Sequence, residues 1–173
     1  CSGDAVCGSL SNTLVFTAFW DGNNGVWRTD ANAIRLNEWN HVVLVYDKTS
    51  TLNNPVMYIN GVSVTVTETS APAGNFNSIP YERQFGQGSH NYFGKMDEIR
   101  IYSRGLSAAE IAAMAKAGNV QFTNSSAKLD DGSSLERGLV GHWTFDGAAI
   151  TANQVLDQSG QWNHGGFFGG STS

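Results

Sequence analysis

The residues of this 173-residue chain with the types and spacing to do chemistry are one carboxylate in an apolar setting, a pair of tryptophans around a turn, and two cysteines. Asp97 lies in residues 95–102, KMDEIRIY. Alternation there puts Asp97, Ile99 and Ile101 on one face and Met96, Glu98, Arg100 and Tyr102 on the other, the pattern of a half-buried strand. A carboxylate on the apolar face must be neutral, hydrogen-bonded or metal-bound, because an unpaired buried charge is very costly. Trp20 and Trp27 flank the turn DGNNG at 21–25, with Asn23, Asn24 and Arg28 close by. Aromatic faces for sugar C–H surfaces beside polar groups for hydroxyls make a candidate carbohydrate platform; the same rings are also of the kind that packs between sheets. Cys1 and Cys7 can close a small disulfide loop in an oxidising compartment or stay as free thiols, and without Cys or His partners they make a poor zinc site.

Other chemistry is unmarked. His41, His90, His142 and His164 form no H-x-x-x-H or H-E-x-x-H pattern and read as packing or loop residues. No G-x-S-x-G elbow marks a nucleophile, and the Gly-rich residues 167–170 lack the Lys and Ser/Thr of a phosphate loop. Glycoside hydrolysis needs two carboxylates about 5–9 Å apart across the scissile bond. Adjacent Asp97 and Glu98 face opposite sides of a strand, and Asp130-Asp131 stand in a polar stretch, so the chain is expected not to be an enzyme.

The elements that must hold these residues read as β structure. Gly 20, Phe 9, Trp 5 and Tyr 5, with many Thr, Val, Asn and Ser, favour short strands and tight turns. A net charge of -5 with no Lys/Arg cluster argues against nucleic acid and against a polybasic membrane patch. No apolar run is long enough to span a bilayer. No signal peptide is visible, and the first residue is not Met, which reads as a processed or truncated piece.

Along the chain, residues 11–20 and 26–29 read as a hairpin around the 21–25 turn. Residues 41–47, HVVLVYD, are almost continuously apolar, as in a central strand covered on both faces. Residues 56–60 and 62–67 form the clearest hairpin, turning at Asn60-Gly61, a type I′ pair. Residues 69–80 read as a loop, and 81–86 as a further strand. Ser107 opens the one clear helix as N-cap, with Glu110 completing a capping box, Leu106 and Ile111 placed as a hydrophobic staple, and Gly118 to stop it. Residues 119–137 turn polar and aperiodic, as a linker does, and Asn124-Ser125-Ser126 fits a glycosylation sequon.

The run 94–118, GKMDEIRIYSRGLSAAEIAAMAKAG, resembles the closing segment of concanavalin A-like (laminin G-like) jelly-roll domains of bacterial extracellular proteins. W-N-H-V-V-L-V-Y-D from Trp39, M-Y-I-N-G from Met57, F-G and the D-E-I-R-I-Y segment follow in the order of the second half of such a domain. GLVGHWTFDG at 138–147 and DQSGQWNHG at 157–165 resemble the opening of the same family. A family ending therefore precedes a family beginning. One reading is two neighbouring tandem domains, 1–118 lacking its opening strands and 138–173 stopping after one strand and a loop. The other joins them, with the 138–147 strand pairing with the 95–102 strand in cis or with another copy in trans, since an unpaired edge invites either.

The resemblance implies an all-β antiparallel sandwich of jelly-roll type with one short helix. It also implies a calcium site, held in such folds by an acid of the closing strand and oxygens of the opening strand; by position these are Asp97 and Asp146. Backbone capping by Asp97 is the alternative. The E-x-D-x-x-E and E-x-D-x-E strands of the related glucanases have no counterpart here. The implied role is a non-catalytic, calcium-stabilised binding or adhesion module for glycans or surface proteins, extracellular or at the cell surface. A structural spacer or self-assembling subunit is the alternative, and a glycoside hydrolase-like enzyme the third.

Overall fold

A computed structural model describes residues 12–77, 94–117, 135–151 and 153–167. The chain divides into two compact units: Cys1–Asn91 with Gly105–Thr123, and Tyr92–Arg104 with Asn124–Ser173.

The first unit holds two three-stranded antiparallel sheets. β1 (Val15–Ala18), β2 (Gly25–Thr29) and β6 (Val66–Ser70) form one, in the order β1-β2-β6; β3 (Val42–Val45), β4 (Val56–Ile59) and β5 (Val62–Val64) form the other, in the order β3-β4-β5. Period-two alternation builds the core between them. On β2, Gly25, Trp27 and Thr29 are buried while Val26 and Arg28 are half-buried. Trp27, 1 % exposed, and Met57, fully buried, join Ala18 and Trp20 in one cluster with Phe16, Tyr46, Val64 and Val66 packed against it. Full burial of such a side chain contributes about 1.5–3 kcal/mol. The arrangement is the antiparallel sandwich expected from the sequence.

Asn60 (φ 53°) and Gly61 (φ 82°) both take the left-handed backbone that a type I′ turn demands, joining β4 to β5. The strand expected over 62–67 divides at Thr65, and β6 leaves to pair with β2. The segment expected as a loop from 69 therefore begins as strand. Phe76 and Ala73 then make isolated bridges to Trp20 and Asn23. β3 departs from expectation as well: among the described residues β4, not β3, is central, and Val42 and Leu44 are exposed.

Helix α1 (Ala108–Ala117) starts as its sequence requires. The Ser107 backbone N–H and hydroxyl donate to Glu110 Oε2 at 2.7 and 2.9 Å, and Ser107 Oγ accepts from the Glu110 N–H at 3.3 Å, the two halves of a capping box. Leu106, Ile111 and Met114 are buried.

In the second unit β7 (Ile99–Tyr102) pairs antiparallel with β8 (Leu139–Trp143), setting Ile99 against Trp143 and Arg100 against His142. β9 (Gln154–Val155) pairs with β10 (Gly165–Gly166). The strand expected over 95–102 is shorter than read, because Glu98 takes a left-handed backbone (φ 54°) that interrupts the pleat. Asp97 is consequently exposed and outside the strand, not on an apolar face.

Candidate binding site

Around the 21–25 turn the polar groups serve the turn itself. Asp21 Oδ1 accepts the Asn75 N–H at 2.7 Å and Oδ2 its side-chain amide at 3.2 Å, contacts that hold the Asp21 carboxyl below its ordinary pKa. Asn23 Nδ2 donates to Ala71 O at 2.6 Å and Ser70 Oγ at 3.1 Å, and Asn24 Oδ1 accepts the Trp20 N–H at 3.3 Å. Trp20 meets Phe76 edge-on at 5.5 Å. Trp27 stacks on Phe16 at 5.8 Å and donates Nε1–H to Asn54 Oδ1 at 2.7 Å. Both indoles are buried, and Arg28, the next residue on β2, points to the other side of the sheet from Trp27. The structure therefore does not gather Trp20, Trp27, Asn23, Asn24 and Arg28 into an exposed aromatic platform.

Asp97 and Asp146 come to the same end of one ladder. Asp97 precedes Ile99, and Asp146 follows Trp143, the residue opposite Ile99. Both are exposed. Asp97 Oδ1 accepts the Glu98 N–H at 2.9 Å, the local backbone contact foreseen as the alternative to a metal, and leaves Oδ2. Asp146 makes no side-chain cap bond to the 3-10 turn Gly147–Ala149 that it precedes. Among the described residues no group of three or more His, Cys, Asp or Glu stands together as a metal cage. Two carboxylates are the right hard donors for calcium, and peptide carbonyls would have to bring the count to its six to eight oxygens. Cys1 and Cys7 lie outside the described residues.

The most elaborated site is one that sequence reasoning passed over. Asp157, 8 % exposed, organises the loop after β9. Its Oδ1 accepts the His142 N–H and the Ser159 N–H, each at 2.8 Å; its Oδ2 accepts the Ser159 hydroxyl at 2.7 Å and the Asn163 N–H at 3.0 Å. Burial pushes the Asp157 carboxyl up, but these donors together outweigh it and hold the pKa below the ordinary value. Asn163 ties the loop to β8 a second time, donating Nδ2–H to Val140 O at 2.8 Å and accepting the Trp143 indole N–H at 3.0 Å. Trp143 in turn lies over Gly141, where an added Cβ would stand 2.3 Å from the ring.

Between these anchors the loop presents Trp162 outward at 81 % exposure, with His164 edge-on to it at 5.8 Å. The available signal was the polar D-x-S-G-x-x-N-H-G frame with a large indole in one of its unconstrained positions. One residue before β7, Glu98 Oε2 meets both Arg100 of β7 and His142 of β8.

No helix of the described residues is long and apolar enough to cross a membrane. In comparison with known proteins, the Laminin_G_3 model of the Concanavalin A-like lectin/glucanases superfamily matches residues 8–112, more than half of the chain. No curated protein and no solved structure matches it.

Proposed function

From the premise that the chain belongs to the concanavalin A-like lectin/glucanase superfamily as a laminin G-like domain, we propose that it is a non-catalytic extracellular recognition module for glycans or surface proteins. Such domains typically bind and do not catalyse, although the superfamily also contains glycosidases. The observation that carries the reading is the 157–165 loop. A buried carboxylate fixes its backbone to β8 while its large side chains face solvent. Recognition residues on a loop held by a rigid sheet are the usual construction of a binding surface.

Calcium is the proposed stabiliser, with Asp97 and Asp146 as its side-chain ligands at one end of the β7–β8 ladder. An ion there would tie the approach to β7 to the exit from β8; Asp97 and Asp146 would supply the charge and hold the ion in place.

Retention of the full chain on immobilised glycans and surface proteins, with a parallel assay for released sugars, tests the recognition reading. Retention without product supports it, and product release from a polysaccharide overturns it. A thermal melt with calcium and with chelator tests the ion. A calcium-dependent rise in midpoint that Asp97→Asn or Asp146→Asn abolishes is expected, since a ligand of the native state stabilises it. A midpoint indifferent to calcium removes the ion from the proposal.

A further inference from the structure

We propose that Trp162 is the stacking floor of a site for a neutral sugar ring, with the Nε2–H of His164 and the side-chain amide of Gln161 as partners for its hydroxyls. This rests on the recognition reading above and gives it a site and a ligand class.

The first argument is the cost of holding the ring where it is. Trp162 takes a left-handed backbone, φ 61°, which bulky residues avoid. Its neighbours on both sides are pinned: Gln161 donates its N–H to Ser159 Oγ at 3.2 Å, and Asn163 is held through its N–H, side chain and carbonyl. The indole is thus presented from a backbone already ordered, so little conformational freedom remains to be lost when a ligand arrives.

The second argument is the chemistry around the ring. His164 Nδ1 accepts the Asp157 N–H at 3.0 Å, which places the proton of the neutral imidazole on Nε2 and fixes that nitrogen as a donor. Residues 158–167, QSGQWNHGGF, contain no Asp, Glu, Lys or Arg. A π face with an imidazole beside it and the exposed Gln161 next in the chain, without formal charge, matches a pyranose, which has an apolar C–H face and a rim of hydroxyls. A protein partner is matched less well. A stable protein interface covers about 800 Å² on each side with an apolar centre, whereas the residues next to Trp162 in the chain, Gln161, Asn163 and His164, are polar and exposed.

The test is calorimetric titration of the full chain with four neutral probes, the hexasaccharides of cellulose, xylan, mannan and amylose. At least one should bind. Trp162→Asn, which suits the left-handed backbone and keeps the loop's hydrogen bonds, should weaken that binding about tenfold or more, as loss of an aromatic anchor does. Trp162→Tyr, which keeps a π face, should stay within about threefold. Should Trp162→Asn not fold, the wild-type indole N–H resonance of Trp162, identified by its loss in Trp162→Tyr, is followed during titration, and its movement on binding is the expected result. Binding that Trp162→Asn leaves unchanged, an unmoved resonance, or no binding of any probe overturns the proposal. In the last case retention on sulfated glycans or surface proteins would leave the wider recognition reading standing, and absence of all retention would end both.

Discussion

Arg100 and His142 stand directly opposite one another across the β7–β8 ladder and reach the same atom, Oε2 of Glu98, with His142 Nε2 at 2.9 Å. Glu98 itself lies one residue outside the ladder, turned there by its left-handed backbone. One carboxylate oxygen therefore clasps both strands.

Removing it should loosen the ladder modestly. The Glu98 side chain is 38 % exposed, so solvent screening limits Glu98→Ala to about 1 kcal/mol. Thermal melts should show His142→Ala costing a similar amount and the double variant costing less than the two together, because they share one contact. Strict additivity would show that the pair does not couple.

Asp157 should make the loop acid-sensitive. Its folded pKa lies below the ordinary value of 3.8, so its contribution is fully present above that value and is lost as pH falls through the lower folded one. Near-ultraviolet circular dichroism should follow this change in wild type. Asp157→Asn should lack the transition. At neutral pH it should be about 2 kcal/mol less stable, because an amide NH₂ then confronts backbone donors that an oxygen had satisfied.

Trp27 separates packing from binding. Trp27→Ala should cost about 3–5 kcal/mol in urea denaturation, the range for emptying an aromatic site in a core. Trp27→Phe should cost about 1–2 kcal/mol, mainly for the core volume that the smaller ring leaves unfilled, since water can reach the exposed Asn54 side chain. A Trp27→Ala chain that stayed fully stable yet lost glycan retention would restore Trp27 to a surface role.

At the β4–β5 turn, Gly61→Ala should destabilise by about 1–2 kcal/mol. A methyl there meets Ala115 Cβ of α1 at 2.9 Å on a backbone with φ 82°. Amide exchange in α1 should accelerate together with that in β4 and β5. Unchanged exchange in the helix would mean that it does not rest on the turn.

Where local chemistry decided the structure, the sequence was readable. The Ser107–Glu110 capping box, the Asn60-Gly61 turn and the pairing of β1 with β2 each depend on residues close together in the chain. Asp97 was misread because parity assumes an unbroken pleat, and nothing in KMDEIRIY announces that Glu98 adopts φ 54°. The tryptophans show the same limit. Trp27 and Trp162 both sit in polar surroundings along the chain, yet one is 1 % and the other 81 % exposed. Sheet pairing buries the first, and long-range hydrogen bonds, from the His142 N–H to Asp157 and from the Asn163 side chain to Val140 O, hold out the second.

The β7–β8 ladder bears on how the molecule can be cut. Its strands are separated along the chain by Gly105–Thr123, which belongs to the other compact unit, so the backbone leaves one unit, contributes α1 to its neighbour and returns. Neither unit is a continuous stretch of polypeptide. A fragment ending at residue 118, the boundary that composition suggests, would keep β7 and discard β8. It would bare an edge of Ile99 and Ile101 to any strand in reach, and aggregation of that fragment would report a misplaced scissor cut, not an unstable fold.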